Sequence, residues 1–275
     1  VELHFAHTYL LLFGKLAAGG LLSLAVPPFA QMERGFFKST AIIYLLCGYL
    51  IAGGELSLAL HSDAAARVST GELFLWWAFA VSATLYCISL YTSSAEFRAR
   101  AFPISVLLGS SAVAVSAFAL RPPAVPALAG LPFAVSALTG SALAGGTASG
   151  MFLGHWYLIE SGLELAPLER MLVFCRTALR YDIVVVVAGA TLLWLWPGNV
   201  FAERFSLAFD SRFVWLVVGR VAAWSLTALI LALITRTLRI PQTMAATGLF
   251  YIGALVVAVG EILSHWLLFR VGLPL

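Results

Sequence analysis

Apolar residues along this chain gather into eight stretches, approximately 4–28, 40–61, 72–93, 102–120, 127–158, 171–197, 213–235 and 243–269. Each is close to or above the roughly 20 residues with which a helix crosses a bilayer's hydrocarbon core. The breaks between them carry turn-formers and charges. They are Pro27-Pro28 with Glu33-Arg34-Gly35, His61-Ser62-Asp63, Ser93-Ser94-Ala95-Glu96, Arg121-Pro122-Pro123, Gly162 to Pro167, Pro197-Gly198-Asn199, and Arg236 to Pro241. None of the runs alternates with period two, and an open sheet edge is not viable in lipid, so strands are not expected. The pattern predicts an all-α integral membrane protein: one transmembrane domain over 1–275, a bundle of about eight helices joined by short loops. Residues 163–180 read as an amphipathic turn feeding the sixth stretch, and no internal repeat stands out.

Composition agrees and removes several functions. Hydrophobic residues make up 61% and charged residues 11%, against about 25% charged in an ordinary soluble domain. Net charge is +3 and the basic residues are scattered singly, which leaves no patch for nucleic acid. No phosphate loop of the GxxxxGK type occurs, so nucleotide binding is not expected. Cys47, Cys87 and Cys175 lie far apart without a CxxC pair, against a zinc site, an iron–sulfur cluster, a covalent c-type haem or a disulfide framework. The opening stretch, Val1 to Pro28, is too long and too rich in His and Lys for a cleaved signal, and reads as the first span.

Eight spans put both termini on one side. The opposite side would hold Arg34, Lys38, Arg98, Arg100, Arg170, Arg176, Arg180, Arg236 and Arg239, nine cations, against five (Arg67, Arg121, Arg204, Arg212 and Arg270) on the terminal side. The positive-inside rule then places both termini on the outer side, the periplasm of a bacterium, with the chain in the cytoplasmic (inner) membrane. Trp76, Trp77, Trp194, Trp196, Trp215 and Trp266 fall near the outer ends of spans, as an interfacial belt would.

Ionisable residues inside spans are expensive and mark function or pairing. Four stand out: Lys15, Glu55, Arg220 and Glu261. Arg220 lies eight residues beyond Arg212 and Glu261 nine before Arg270, so both sit roughly 12–14 Å below the outer boundary. Glu55, six residues before His61, is at similar depth, and Lys15 is slightly deeper. Arg220–Glu261 and Lys15–Glu55 pairs are feasible. The four charges form either two ion pairs holding helices in register or a polar pocket and proton path opening outward.

Histidines share that layer. His4 and His7 lie at the outer end of the first span, His61 of the second, and His265 of the eighth. Gly54, Ser57 and His61 share one face, small residues approaching a histidine, as a flat macrocycle with imidazole ligation requires. A b-type haem held by two of His7, His61 and His265 is one reading. A quinone or quinol site, with a histidine accepting a proton beside Glu55 or Glu261, is another. Interfacial residues wetted by headgroups are the third. No HxxxH or HxH spacing suggests a metal beyond a haem iron.

The fifth histidine, His155, lies near the opposite boundary with Trp156, Tyr157 and Glu160, and Arg170, Arg176 and Arg180 follow. This set suits a headgroup or quinone-ring site, or plain interfacial anchoring. Before it, Gly146, Gly150 and Gly154 form a ridge that admits another backbone or a flat ligand. The stretch Phe13-Gly14-Lys15-Leu16-Ala17-Ala18-Gly19-Gly20 resembles the first span of quinol-reacting anchor subunits of the polysulfide reductase type, over less than a tenth of the chain, and no family follows from it.

Three functions remain open. The first is an integral-membrane subunit of a respiratory or photosynthetic electron-transfer complex, handling quinol and haem b beside other subunits of a membrane complex. In it Glu55 and Glu261 pass protons and Arg220 pairs a carboxylate or a propionate. Any enzymatic role would be that of a quinol-reacting subunit of an oxidoreductase. The second is a small-solute or proton-coupled transporter or channel using the same charges. The third is a non-catalytic scaffold or assembly subunit.

Overall fold

The computed structural model describes residues 2–61, 69–121, 126–160, 162–197, 201–240 and 242–274, the side chains of residues 2–5 and 61 excepted. Among them the chain forms α1 (Glu2–Ser23), α2 (Arg34–His61), α3 (Thr70–Tyr91), α4 (Ala95–Ala119), α5 (Leu131–Ile159), α6 (Ala166–Trp194), α7 (Ala202–Ala208), α8 (Val214–Leu238) and α9 (Thr243–Val271). A 3₁₀ turn, Ala127–Gly130, leads into α5. There is no strand among the described residues. Six helical segments are long and apolar enough to cross a membrane: Arg34–Leu60, Thr70–Tyr91, Ala95–Ala119, Ala127–Ile159, Val214–Leu238 and Thr243–Val271. The chain is built as a helical membrane protein.

The helices outrun the apolar stretches at their polar ends. α2 begins at Arg34, α4 at Ala95 and α6 at Ala166, each several residues before its stretch. Capping explains the starts of α3 and α4: the Ser69 and Ser94 hydroxyls accept from the backbone N–H groups of Glu72 and Phe97, at 3.1 and 3.2 Å. Hydropathy marks the depth of a segment in lipid, whereas caps mark where the helix starts. Residues 166–180, read as part of an amphipathic turn, are the first half of continuous α6. The short α7 is a further departure. It forms because Phe201, Phe205 and Ala208 bury themselves with Leu267, Val271 and Leu273 at the end of the bundle that carries the chain termini.

α5 is the centre. It packs against α1, α4, α6 and α9, while α2 and α3 lie on one flank of α1 and α8 stands between α6 and α9. Backbones meet most closely where α1 crosses α5. A Cβ on Gly19 would lie 1.8 Å from the Ser141 carbonyl oxygen, and one on Gly145 would lie 2.0 Å from the Gly19 carbonyl carbon. Polar contacts seal the crossing. The Ser141 hydroxyl donates to the Lys15 carbonyl at 2.9 Å, and Ser23 and Tyr44 both share hydrogen bonds of 2.6 Å with Ser149. The glycine ridge of α5 is filled by side chains: Gly146 faces Phe174, Gly150 faces the Phe250 ring and Gly154 faces Thr247. It is a packing surface for α6 and α9, with no slot for a flat ligand.

Candidate functional site

α1, α6, α8 and α9 each contribute one ionisable residue to a continuous buried chain of charge. The Lys15 ammonium donates to Glu261 Oε2 at 2.6 Å. The Arg220 guanidinium forks, one terminal nitrogen donating to Glu261 Oε1 and the other to Asp182 Oδ2, each at 3.0 Å. Asp182 also accepts from the Trp224 indole at 2.8 Å and from the Thr139 hydroxyl of α5 at 3.0 Å. Trp224 stands one helical turn beyond Arg220, and the guanidinium lies 4.8 Å from its ring centroid. All four ionisable side chains are buried, the two carboxylates completely.

The network holds two cations and two carboxylates and so neutralises itself, the condition under which charges tolerate a low-dielectric interior. Missing side chains make the room. A Cβ on Gly140 would lie 2.8 Å from Glu261 Oε2, and one on Gly260 would lie 3.1 Å from the Arg220 terminal nitrogen. Gly140 follows Thr139, so one turn of α5 supplies both a hydroxyl for Asp182 and space for Glu261.

Of the pairs expected from matched depth, Arg220–Glu261 forms. Lys15 pairs with Glu261 instead of Glu55, because α1 turns its lysine toward α9 and its His7 toward α2. Glu55 is buried with His7 Nε2 3.8 Å away. Depth along a helix is readable from residue counts; the direction a side chain takes around the axis is not. Asp182 is the member the sequence reading passed over. Its signal is an acid directly before Ile183-Val184-Val185-Val186-Val187, obscured by Arg170, Arg176 and Arg180 just upstream.

Beside the network a narrow cleft of about 30 Å³ extends from Lys15 to Leu120 and Pro274, beyond the ends of α4 and α9. That volume is room for one or two waters. Leu120 and Pro274, both just beyond helix ends, line the cleft together with the apolar Leu11, Trp76, Val113, Phe133 and Leu268, and Lys15, Ser136, Ser264 and His265 are the polar lining. Trp76, expected in an interfacial belt, is buried; its indole donates to Ser116 at 3.0 Å. Trp194, Trp215 and Trp266 are exposed, as a belt requires.

His265 is the chemically distinctive group of this cleft. Its Nδ1 lies 3.1 Å from the Thr8 carbonyl oxygen. A carbonyl can only accept, so Nδ1 carries the hydrogen, and Nε2 of the neutral ring is left as an acceptor. That Nε2 is buried and has no hydrogen-bond partner among the described residues. A buried polar atom without a partner calls for a ligand or an ordered water.

The histidines expected to ligate a haem are placed as follows. His7 faces Glu55, and the space at Gly54 is taken by Leu10 of α1. The side chains of His4 and His61 lie outside the described residues. The expected ligation by His61 therefore lies outside the described residues, while His7 and His265 turn to different partners, Glu55 and the Thr8 carbonyl. His155 is exposed near the other end, its Nδ1 3.4 Å from the Tyr251 hydroxyl. Nearby, the Tyr157 hydroxyl donates to the Glu164 carbonyl. Among the described residues no group of three or more His, Cys, Asp and Glu could hold a metal ion.

Comparison of the chain with models of known protein families, with curated proteins and with solved structures finds no match.

Proposed function

We propose that this chain is an integral-membrane subunit of an electron-transfer complex, and that it receives a quinol in the cleft beside His265. The observation that carries the reading is the His265 imidazole, fixed by Thr8 with its accepting nitrogen unpaired in an apolar-walled cleft. A quinol offers what the cleft lacks: a flat apolar ring for Trp76 and Phe133, and a hydroxyl to donate to Nε2. As the ring is oxidised, each hydroxyl oxygen loses a proton. His265 Nε2 is placed to take the first, the second leaves from the distal hydroxyl to solvent at the mouth of the cleft, and the Lys15 ammonium, on the same wall, steadies negative charge developing on the oxygen. Glu261 holds Lys15 in place and is the next acidic group inward. The two electrons of each quinol pass to a redox centre in a partner subunit. Quinol reaches His265 by displacing water and parting the apolar walls.

In this reading α1 and α6 cross the membrane with the six apolar helical segments, giving eight spans. Both chain termini and the mouth of the cleft face the outer side of a bacterial cytoplasmic membrane, following the nine-to-five distribution of cations.

Photolabelling of the purified protein with a short-chain azidoquinone tests the site. Label is expected on peptides containing Trp76, Phe133 or His265, competed by unlabelled quinol and reduced in His265→Asn. Asn keeps a donor for the Thr8 carbonyl and removes the accepting nitrogen. Uncompeted labelling spread over the lipid-facing helices would reject the quinol site. One observation favours transport instead: the charge chain joins four helices and, through Lys15, reaches the lining of the cleft. Proton flux into protein-containing liposomes without quinol, abolished by Glu261→Gln, would establish that alternative.

A further inference from the structure

At the opposite end of the molecule, a second cavity of about 290 Å³ lies between α6 and α8. Its lining is Arg176 from α6 with Ala232, Thr235, Arg236 and Arg239 from α8 and its C-cap. Positions 232, 235, 236 and 239 are spaced three and four apart, so they form one face of α8. No acidic residue lines the cavity, and none of the three arginines forms an ion pair among the described residues. The carboxyl end of α8 favours a cation at Arg236 and Arg239. It does not account for Arg176, which arrives from another helix.

The surroundings of Arg176 narrow the choice of counter-ion. It lies on an exposed face of α6 with Val173, Arg180, Val184 and Val187, and α8 presents exposed Leu229 and Leu233 above its own arginines. A water-filled anion site would not be continuous with apolar surface. The combination suits a molecule with a phosphate at one end and hydrocarbon at the other, and basic pockets between membrane helices are suited to such headgroups. We propose that the groove between α6 and α8 binds the phosphate of an anionic phospholipid through Arg176, Arg236 and Arg239, with an acyl chain lying along Val184, Val187, Leu229 and Leu233.

Native mass spectrometry of delipidated protein, titrated with phosphatidylglycerol or phosphatidylcholine, tests the proposal. Phosphatidylglycerol should be retained preferentially, and each of Arg176→Gln, Arg236→Gln and Arg239→Gln should weaken retention about five-fold. Arg100→Gln, on an exposed arginine paired with Glu96, should leave it unchanged. Single substitutions at exposed positions avoid a folding defect, and circular dichroism of each variant checks this. Equal retention of the two lipids, or full retention in all three variants, would overturn the proposal. So would competition by inorganic phosphate as strong as by the lipid, which would make the groove a site for free anions. An acidic peptide of a partner that displaces the lipid from wild type without needing the arginines would overturn it as well.

Discussion

Lys15 and Glu261, 246 positions apart in the chain, stand 2.6 Å from each other in the middle of the bundle. The contact ties α1 to α9 and leaves Glu261 shared between Lys15 and Arg220. Removing the carboxylate charge leaves two buried cations facing one acid, Asp182. We expect Glu261→Gln to destabilise the protein by about 3–5 kcal/mol, the usual cost of breaking a buried pair by removing one partner. Lys15→Met combined with Glu261→Gln restores neutrality around Arg220–Asp182. The double variant should therefore be more stable than Glu261→Gln alone. Unfolding in detergent across the full mutant cycle measures the coupling, and simple additivity of the two substitutions would show that the network is not a unit.

How much of this was readable beforehand differs from residue to residue. The apolar stretches located every long helix, because a segment surrounded by lipid must be apolar whatever its partners. Lys15, Glu55, Arg220 and Glu261 were conspicuous for the same reason. The exchange of partners was not visible. Residue counting gives height within the membrane, while pairing depends on rotation about each helix axis, which the α1–α5 crossing at Gly19 and Gly145 sets. Those two glycines lie outside the regular ridge of Gly146, Gly150 and Gly154 that drew notice. Trp76 misled because a tryptophan near a span end suits either an interface or a buried hydrogen bond, and Ser116 decided the matter from α4.

Asp182 gives the second prediction. It accepts three hydrogen bonds, from Arg220, Trp224 and Thr139. Asn keeps the shape but turns an amide donor toward one of those donors and leaves the network one positive charge in excess. Asp182→Asn should destabilise the protein by about 3 kcal/mol or more. Asp210→Asn, at the exposed pair with Arg212, should change stability little. Comparable stability for the two variants would argue that water reaches the network and screens it.

Orientation is the third. The proposed eight-span arrangement puts nine cations on one side and five on the other, so reporter tags after Leu275 and within residues 62–70 should read as outside, and a tag beside Arg98 as inside. Protease or thiol-reagent accessibility in intact cells gives the answer. A cytoplasmic Leu275 would exchange the sides, placing the His265 cleft toward the cytoplasm and the arginine groove toward the outer leaflet.

The last prediction separates glycines that look alike in the sequence. Gly19 and Gly145 sit where two helix backbones touch, and an added methyl group on either would overlap the other helix's carbonyl atoms, which cannot rotate aside. Gly53 and Gly248 are also helical, yet a Cβ there meets nothing within 4 Å among the described residues. In open space, alanine in a helix gains about 0.5–1 kcal/mol over glycine. We therefore expect Gly19→Ala and Gly145→Ala to push α1 from α5, lower the yield of folded protein and loosen Lys15 from Glu261, because Lys15 moves with α1 while Glu261 of α9 stays packed at Gly140 of α5. Gly53→Ala and Gly248→Ala should fold as well as the parent or slightly better. Unfolding midpoints in detergent, read with the accessibility of Cys175 beneath α5 to a thiol reagent, give the comparison. Normal stability of both Gly19→Ala and Gly145→Ala would mean that the α1–α5 crossing is wider than described and that the geometry of the charge network needs revision with it.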